Sequence, residues 1–178
     1  MSAPILTTER LTLRPFRMQD APVVEQLAGD RAIADTTLNV PHPYTREMAE
    51  EWIRGHADEI DRGVAIILAM ETRADGELVG SIALKGIDSA HRAAELGYWV
   101  GTPYWGRGFA TEAARALIRY GFDALSLNRI YAHHMTRNPA SGRVLEKIGM
   151  RHEGTLRQDM MKWGRFEDVE LYAILSSD

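Results

Sequence analysis

Leu11, Leu13 and Pro15 alternate with Thr12, Arg14 and Phe16, and the pattern predicts an opening strand. Asp20-Ala21-Pro22 reads as a helix start, an acidic cap closely followed by proline, with the helix ending by Gly29. After Thr45, Met48, Ala49, Trp52, Ile53 and His56 recur at helical spacing and predict a helix that stops near Gly63. Ala65 to Met70 reads as a buried strand; Asp75-Gly76 is a hairpin signal before a strand from Leu78 to Ile87, and Arg92 to Val100 is the next strand. From Phe109 to Ala124 the residues Ala110, Ala113, Ala114, Leu117, Ile118 and Gly121 form one helical stripe. Arg129 to Met135 reads as a strand and Pro139 to Ile148 as a short helix. Met150 to Trp163 and Phe166 to Leu175 read as a closing pair joined near Gly164-Arg165. Helices at both ends of the strand run and after its fourth strand predict an α/β (α+β) fold with a mixed, mostly antiparallel sheet.

Composition narrows the function classes. The chain has 178 residues, 45% hydrophobic and 26% charged, which suits one globular domain over 1–178 with a sizeable core. A formal charge of −4 gives no basic footprint for nucleic acid and mildly favours cationic substrates such as amines. With no cysteine, disulfides, thiolate metal sites and a cysteine nucleophile are excluded. Met1-Ser2-Ala3-Pro4-Ile5 has neither a basic nor an apolar signal region, and no apolar run approaches a membrane span, so a cytoplasmic enzyme is the simplest reading.

The stretch Trp105-Gly106-Arg107-Gly108-Phe109-Ala110-Thr111-Glu112 lies between a strand-like and a helix-like run. A glycine-rich turn of this kind aims backbone N–H groups and the positive end of a helix dipole at a phosphate. The P-loop is rejected because no lysine ends the loop. The dinucleotide fingerprint is disfavoured because Thr111 stands at its third glycine and Leu125 to His133 carries no acidic residue. The acetyl-coenzyme A turn, Gln/Arg-x-x-Gly-x-Gly/Ala, matches Gly108 and Ala110, with Trp105 in place of Gln/Arg. On the motif alone, a glycine turn without a ligand stays open beside it.

Further blocks join this turn: Leu6 to Pro15, Pro41-His42-Pro43-Tyr44-Thr45, Glu95 to Val100, Arg137-Asn138-Pro139-Ala140-Ser141 and Leu145-Glu146-Lys147-Ile148-Gly149-Met150. In order and spacing the chain resembles the RimJ/RimL-like branch of the GNAT N-acetyltransferase superfamily over nearly its whole length. Trp105 is common in that branch. The resemblance implies a central sheet of about seven strands, splayed between the fourth and fifth. It places acetyl-CoA in the V between the strand ending at Val100 and the strand from Arg129, with the pyrophosphate on residues 106–111.

It also implies roles for single residues. Glu95 sits where histone-acetylating relatives carry a general base; the alternative is an ordinary strand glutamate. Ser141 is implied as proton donor to the departing thiolate, and Asn138 as a pantetheine contact. Both also have a local account, Asn138 as a helix cap followed by proline and Ser141 at the third helical position, and the resemblance tips both towards cofactor contact. The backbone of Trp99 and Val100 is implied to bind the acetyl carbonyl and pantetheine amides, and Trp105, Gly106, Arg107, Gly108, Phe109, Ala110 and Thr111 to line the pyrophosphate. His42, Tyr44, Trp52 and Trp163 are candidate acceptor-pocket walls, with core packing an equal alternative for the two tryptophans. His133-His134 is no metal pair, since adjacent strand residues point to opposite faces, and no metal is expected. The acceptor is a primary amine, either a protein N-terminal α-amine of ribosomal type or a small molecule such as a polyamine, amino-acid analogue or antibiotic. A non-catalytic acyl-CoA sensor is the alternative from another class. The branch also implies a homodimer.

Overall fold

The computed structural model describes residues 3–178. Met1 and Ser2, part of the stretch read above for a targeting signal, lie outside the described residues. In chain order the elements are β1 Leu6–Thr7, β2 Leu11–Arg14, α1 Ala21–Ala28, α2 Arg31–Thr36, α3 Arg46–Asp61, β3 Ile66–Thr72, β4 Leu78–Asp88 and β5 Ala93–Val100. They continue with α4 Phe109–Asp123, β6 Arg129–Met135, α5 Pro139–Lys147, β7 Arg151–Lys162 and β8 Arg165–Leu175. The strands form one sheet in the order β1-β2-β3-β4-β5-β6-β8-β7. Every neighbouring pair is antiparallel except β5 and β6, which run parallel.

Helices cover both faces. On one, α4 lays Ala113, Ala114 and Leu117 against Leu11, Leu68, Ile82, Leu84, Leu96 and Ile130. On the other, Val24 and Ala28 of α1 and Ala49 and Ile53 of α3 pack over Ala69 and Leu78. A strand between two such layers has no face for water, which is why Ala65 to Met70 is apolar at every position.

Three readings change. The sheet has eight strands among the described residues, because the two-residue β1 is too short to leave an alternation, and the splay falls between the fifth and sixth strands. Helix α2 has only Ile33 and Ala34 buried over six residues, too little for a legible stripe, although the Asp30 side chain caps it by accepting from Ala32 N. Asp20 does not cap α1 with its side chain. Its carboxylate accepts from Arg14 at 2.8 and 2.9 Å and from Arg17 N at 2.7 Å. Arg14 is itself buried, so its charge outcompetes a helix terminus for the carboxylate.

Candidate active site

The two central strands separate where chemistry needs room. β5 and β6 pair only at Ala93↔Arg129, Ala94↔Ile130 and Glu95↔Tyr131. Past that rung β5 stays on β4 up to Val100, and β6 stays on β8 up to Met135. Each strand is held by its outer neighbour, and the sheet opens into a V. The edge of β5 from Leu96 onward is left without a strand partner, so its main-chain N–H and C=O groups are free to pair with amides of a ligand. A cleft of about 1050 Å³ runs through the V, lined by Glu95 and Tyr98 at its centre and by Gly108, Ala110 and Thr111 at one end.

That end is the glycine turn. Gly106 at φ 74° and Gly108 at φ 80° take left-handed conformations, and Gly108 is the residue before the first turn of α4. The first intrahelical bond of α4 is from Glu112 N to Gly108 O, which leaves the N–H groups of Phe109, Ala110 and Thr111 at the helix N-terminus for an anion. Glu112 braces the turn from behind: its carboxylate accepts from Thr8 Oγ1 at 2.6 Å, Arg10 N at 2.7 Å and Arg10 Nε at 2.7 Å. The Trp105 indole N–H donates to Val100 O at 2.6 Å, tying the turn to the end of β5. Arg143 and Lys147 of α5 also line the cleft and add positive charge to it. Arg107 does not. Its side chain lies over the rings of Tyr104 and Phe109, beside a separate cavity shared with Glu9, Arg10 and Asp75, because the turn points alternate side chains to opposite sides.

Across the cleft, Asn138 caps α5, its side-chain oxygen accepting from Ser141 N at 3.4 Å. This local role holds whatever else Asn138 does. The Ser141 hydroxyl lies 2.9 Å from the Tyr98 hydroxyl. Burial pushes the Tyr98 phenol up to about 12, against the pull of the Ser141 hydrogen bond. Tyr98 therefore keeps its proton at any physiological pH and can share a hydrogen bond with the serine hydroxyl in either direction.

Glu95 points the other way. On β5, Glu95, Gly97 and Trp99 share the face covered by α1 and α3, whereas Tyr98 shares the face of α4 and α5. His133 from β6 places Nδ1 3.4 Å from Glu95 Oε1. Tyr44 and Trp52 line this half of the cleft, and Trp52 is also packed edge-on against Phe16 and His56. His42 and Trp163 are not among the lining residues. Trp163 is exposed at the β7–β8 turn, with Arg31 and Lys162 over its ring, because that hairpin carries it past the cleft. His134 turns from His133 to the opposite face, where its Nδ1 lies 2.8 Å from Met135 O. Among the described residues no cluster of three or more His, Asp or Glu is placed to hold a metal.

From the sequence, Tyr98 draws no role and His133 only that of a rejected metal ligand. The alternation of β5 does place Tyr98 opposite Glu95. Its pairing with Ser141, and that of His133 with Glu95, depends on strand register and on where α5 docks, which periodicity does not carry.

Comparison with known proteins agrees with this geometry. Residues 10–151 match the acetyltransferase (GNAT) domain family. The chain is 35% identical over 172 residues to the uncharacterized N-acetyltransferase YoaA of Bacillus subtilis, covering 97% of each chain. Mycobacterium smegmatis RimJ, solved with a CoA-disulfide, superposes with a TM-score of 0.87 at 27% identity, covering 96% of this chain and 87% of that one. The spermidine N-acetyltransferase of Vibrio cholerae, solved with CoA and spermine, gives 0.81 at 28% identity, covering 94% and 96%. Family model, relatives and fold agree: the chain belongs to the GNAT acetyltransferase family, in its RimJ/RimL-like branch, and is an N-acetyltransferase.

Proposed function

We propose that the protein transfers the acetyl group of acetyl-CoA to an α-type primary amine, with Glu95 as the general base and Ser141, oriented by Tyr98, as the proton donor to sulfur. The observation that carries this reading is the placement of Glu95 and of the Ser141–Tyr98 pair on opposite faces of β5, at the rung where β5 and β6 part. Acetyl-CoA fits the cleft by its parts. The N–H groups of 109–111 suit the pyrophosphate, the open edge of β5 beyond Leu96, apart from the Val100 carbonyl that Trp105 occupies, suits the pantetheine amides, and Asn138 has its amide NH₂ left for the same arm. The thioester supplies an activated acetyl carbon.

In the step itself Glu95 takes one proton from the ammonium, and the freed nitrogen lone pair forms the C–N bond. The C–S electron pair moves onto sulfur, Ser141 delivers a proton to it, and the second amine proton replaces the one Ser141 gave. His133, which also lines the cleft, lies 3.4 Å from that carboxylate. An α-amine has a pKa near 7.7–8.0 against about 10.4 for lysine, so a partly exposed carboxylate suffices for the former. The spermine-bound Vibrio relative favours a second reading, a polyamine acceptor. Thiol release from acetyl-CoA, measured over α-amines and polyamines with the product identified by mass, tests the proposal; acetylation confined to polyamines or to lysine side chains contradicts it.

A further inference from the structure

The acceptor half of the cleft carries a charge pattern that fits a narrower class than "amine". Its walls are Ile33, Leu38, Val40, Met48, Trp52 and Met160, an apolar chamber. Its ionised groups are few among the described residues: Glu95 at the strand junction, Glu51 on α3, and one ammonium, Lys85. Lys85 is the rung partner of Glu95 on β4, so the two side chains leave the same face with their Cβ atoms about 5 Å apart. No ion pair joins them, and the Lys85 ammonium has no hydrogen-bond partner among the described residues.

Lys85 leans from the Glu95 rung along β5 into the part where the strands have separated. A Cβ on Gly97 would lie 3.9 Å from both Lys85 Cε and Nζ, so the ammonium sits over Gly97, one same-face step further along β5 than Glu95. The missing side chain at Gly97 is what lets it lie there. A second ammonium stands behind the wall: Lys162 Nζ is on Leu38 O at 3.3 Å and Val40 O at 3.2 Å. A polycation entering this chamber would meet Lys85 directly, with two carboxylates to set against it.

Resting on the reading of the protein as an α-amine acetyltransferase, we infer that its acceptor is a free α-amino acid with an apolar side chain. The α-amine goes to Glu95, the α-carboxylate to Lys85, and the side chain into the chamber between α3 and the loop 37–41. In an amino acid the amine and carboxylate are separated by a single carbon, a span that adjacent side chains on one rung can bracket. The bonds made and broken are those given above, with the carboxylate a spectator held by Lys85.

The test uses the full chain with acetyl-CoA and follows thiol release and product mass for phenylalanine, methionine, phenethylamine, spermidine and a peptide with a free N-terminus. Phenylalanine and methionine are expected to exceed phenethylamine and spermidine at least tenfold in kcat/KM. Lys85→Met is expected to raise the KM for phenylalanine about tenfold with a smaller change in kcat, and Lys85→Arg to restore it. An unchanged thermal shift with acetyl-CoA shows that each variant is folded. Preference for spermidine or the peptide, an unchanged KM in Lys85→Met, or no turnover of amino acids overturns the inference. In the peptide case the α-amine reading stands. Loss of both acetyl-CoA binding and turnover with every amine would instead overturn the proposed function.

Discussion

The proposed base, Glu95, and the proposed acid, Ser141, each have a close neighbour, His133 for Glu95 and Tyr98 for Ser141. Glu95→Gln should lower kcat/KM at neutral pH about 10²-fold, the low end for a positioned base, and recover part of the loss at high pH, where more of the amine is already neutral. A pH–rate profile of both proteins with an authenticated acceptor checks this; parallel profiles would leave Glu95 structural. The Ser141–Tyr98 pair separates by comparison. Ser141→Ala should reduce kcat more than it raises the KM for acetyl-CoA, because a bond to sulfur strengthens as the thiolate forms. Tyr98→Phe should reduce kcat less, since the serine stays and loses only its orienting partner, 2.9 Å away. Steady-state kinetics on the two variants decides; a Tyr98→Phe defect confined to KM would assign the phenol to packing. Ser141 was legible in the sequence through Asn138-Pro139, a cap that the fold preserves, while Tyr98 became visible only once α5 was docked on β5.

Among the elements, α4 and the turn before it matter most for the ligand. Gly108 is left-handed at φ 80°, and a Cβ there would lie 3.4 Å from Arg10 Nη2. Gly108→Val strains the backbone and obstructs its approach to the pyrophosphate. Affinity for acetyl-CoA, read by calorimetry, should fall at least tenfold in a protein that is still folded; unchanged affinity would place the ligand elsewhere. The turn was legible from its two glycines and the stripe behind them, because helix periodicity and left-handed glycine are local properties. Its brace was not. Glu112 reaches Thr8 and Arg10, about a hundred positions away, and no local pattern encodes that contact. Arg107 was misplaced for the same reason: the motif names the residue, and only the path of the turn sends its side chain to the far side.

The packing of α3 against the sheet leaves a signature in the stability of the protein as a whole. His56 is buried beside Phe16 and Trp52 with neither ring nitrogen hydrogen-bonded. Burial, with the Lys85 charge adding to it, lowers its pKa from 6.5 to about 4. A histidine that resists protonation when folded contributes fully above its unfolded pKa, and that contribution is lost as pH falls through about 4. The wild type should therefore lose up to about 3 kcal/mol between pH 6.5 and 4 from this group. His56→Leu should lack that part of the slope. Denaturant unfolding of both proteins at a series of pH values checks it; equal slopes would mean that His56 gains a proton partner. Assembly is the other global property. The β7–β8 hairpin exposes Leu156, Met161 and Phe166, which supports the homodimer that family resemblance implies. Sedimentation at micromolar concentration should show a species of about 40 kDa, twice the 20.0 kDa chain, and Phe166→Asp should shift it to the monomer. A monomer in the wild type would end that reading.

Order, type and approximate bounds of nearly all the long elements follow from local rules: alternation for the strands, the stripe for α4, Thr45 and Asn138 as caps, glycines where φ turns positive. These depend on a residue and its near neighbours along the chain, so the sequence alone carries them, and with them the glycine turn before α4 and the family. The pairs at the site depend on which strands neighbour one another, in what register, and where the sheet lets go. Glu95 beside His133, Ser141 beside Tyr98, Lys85 leaning over Gly97, and the removal of Arg107, His42 and Trp163 from the cleft all come from that level. A one-residue slip of β5 would exchange the faces of Glu95 and Tyr98 and leave every local pattern as legible as before. Register is decided by the summed packing of two helical layers on the sheet, and so the glycine turn is written in the chain while the cleft beside Glu95 exists only in the fold.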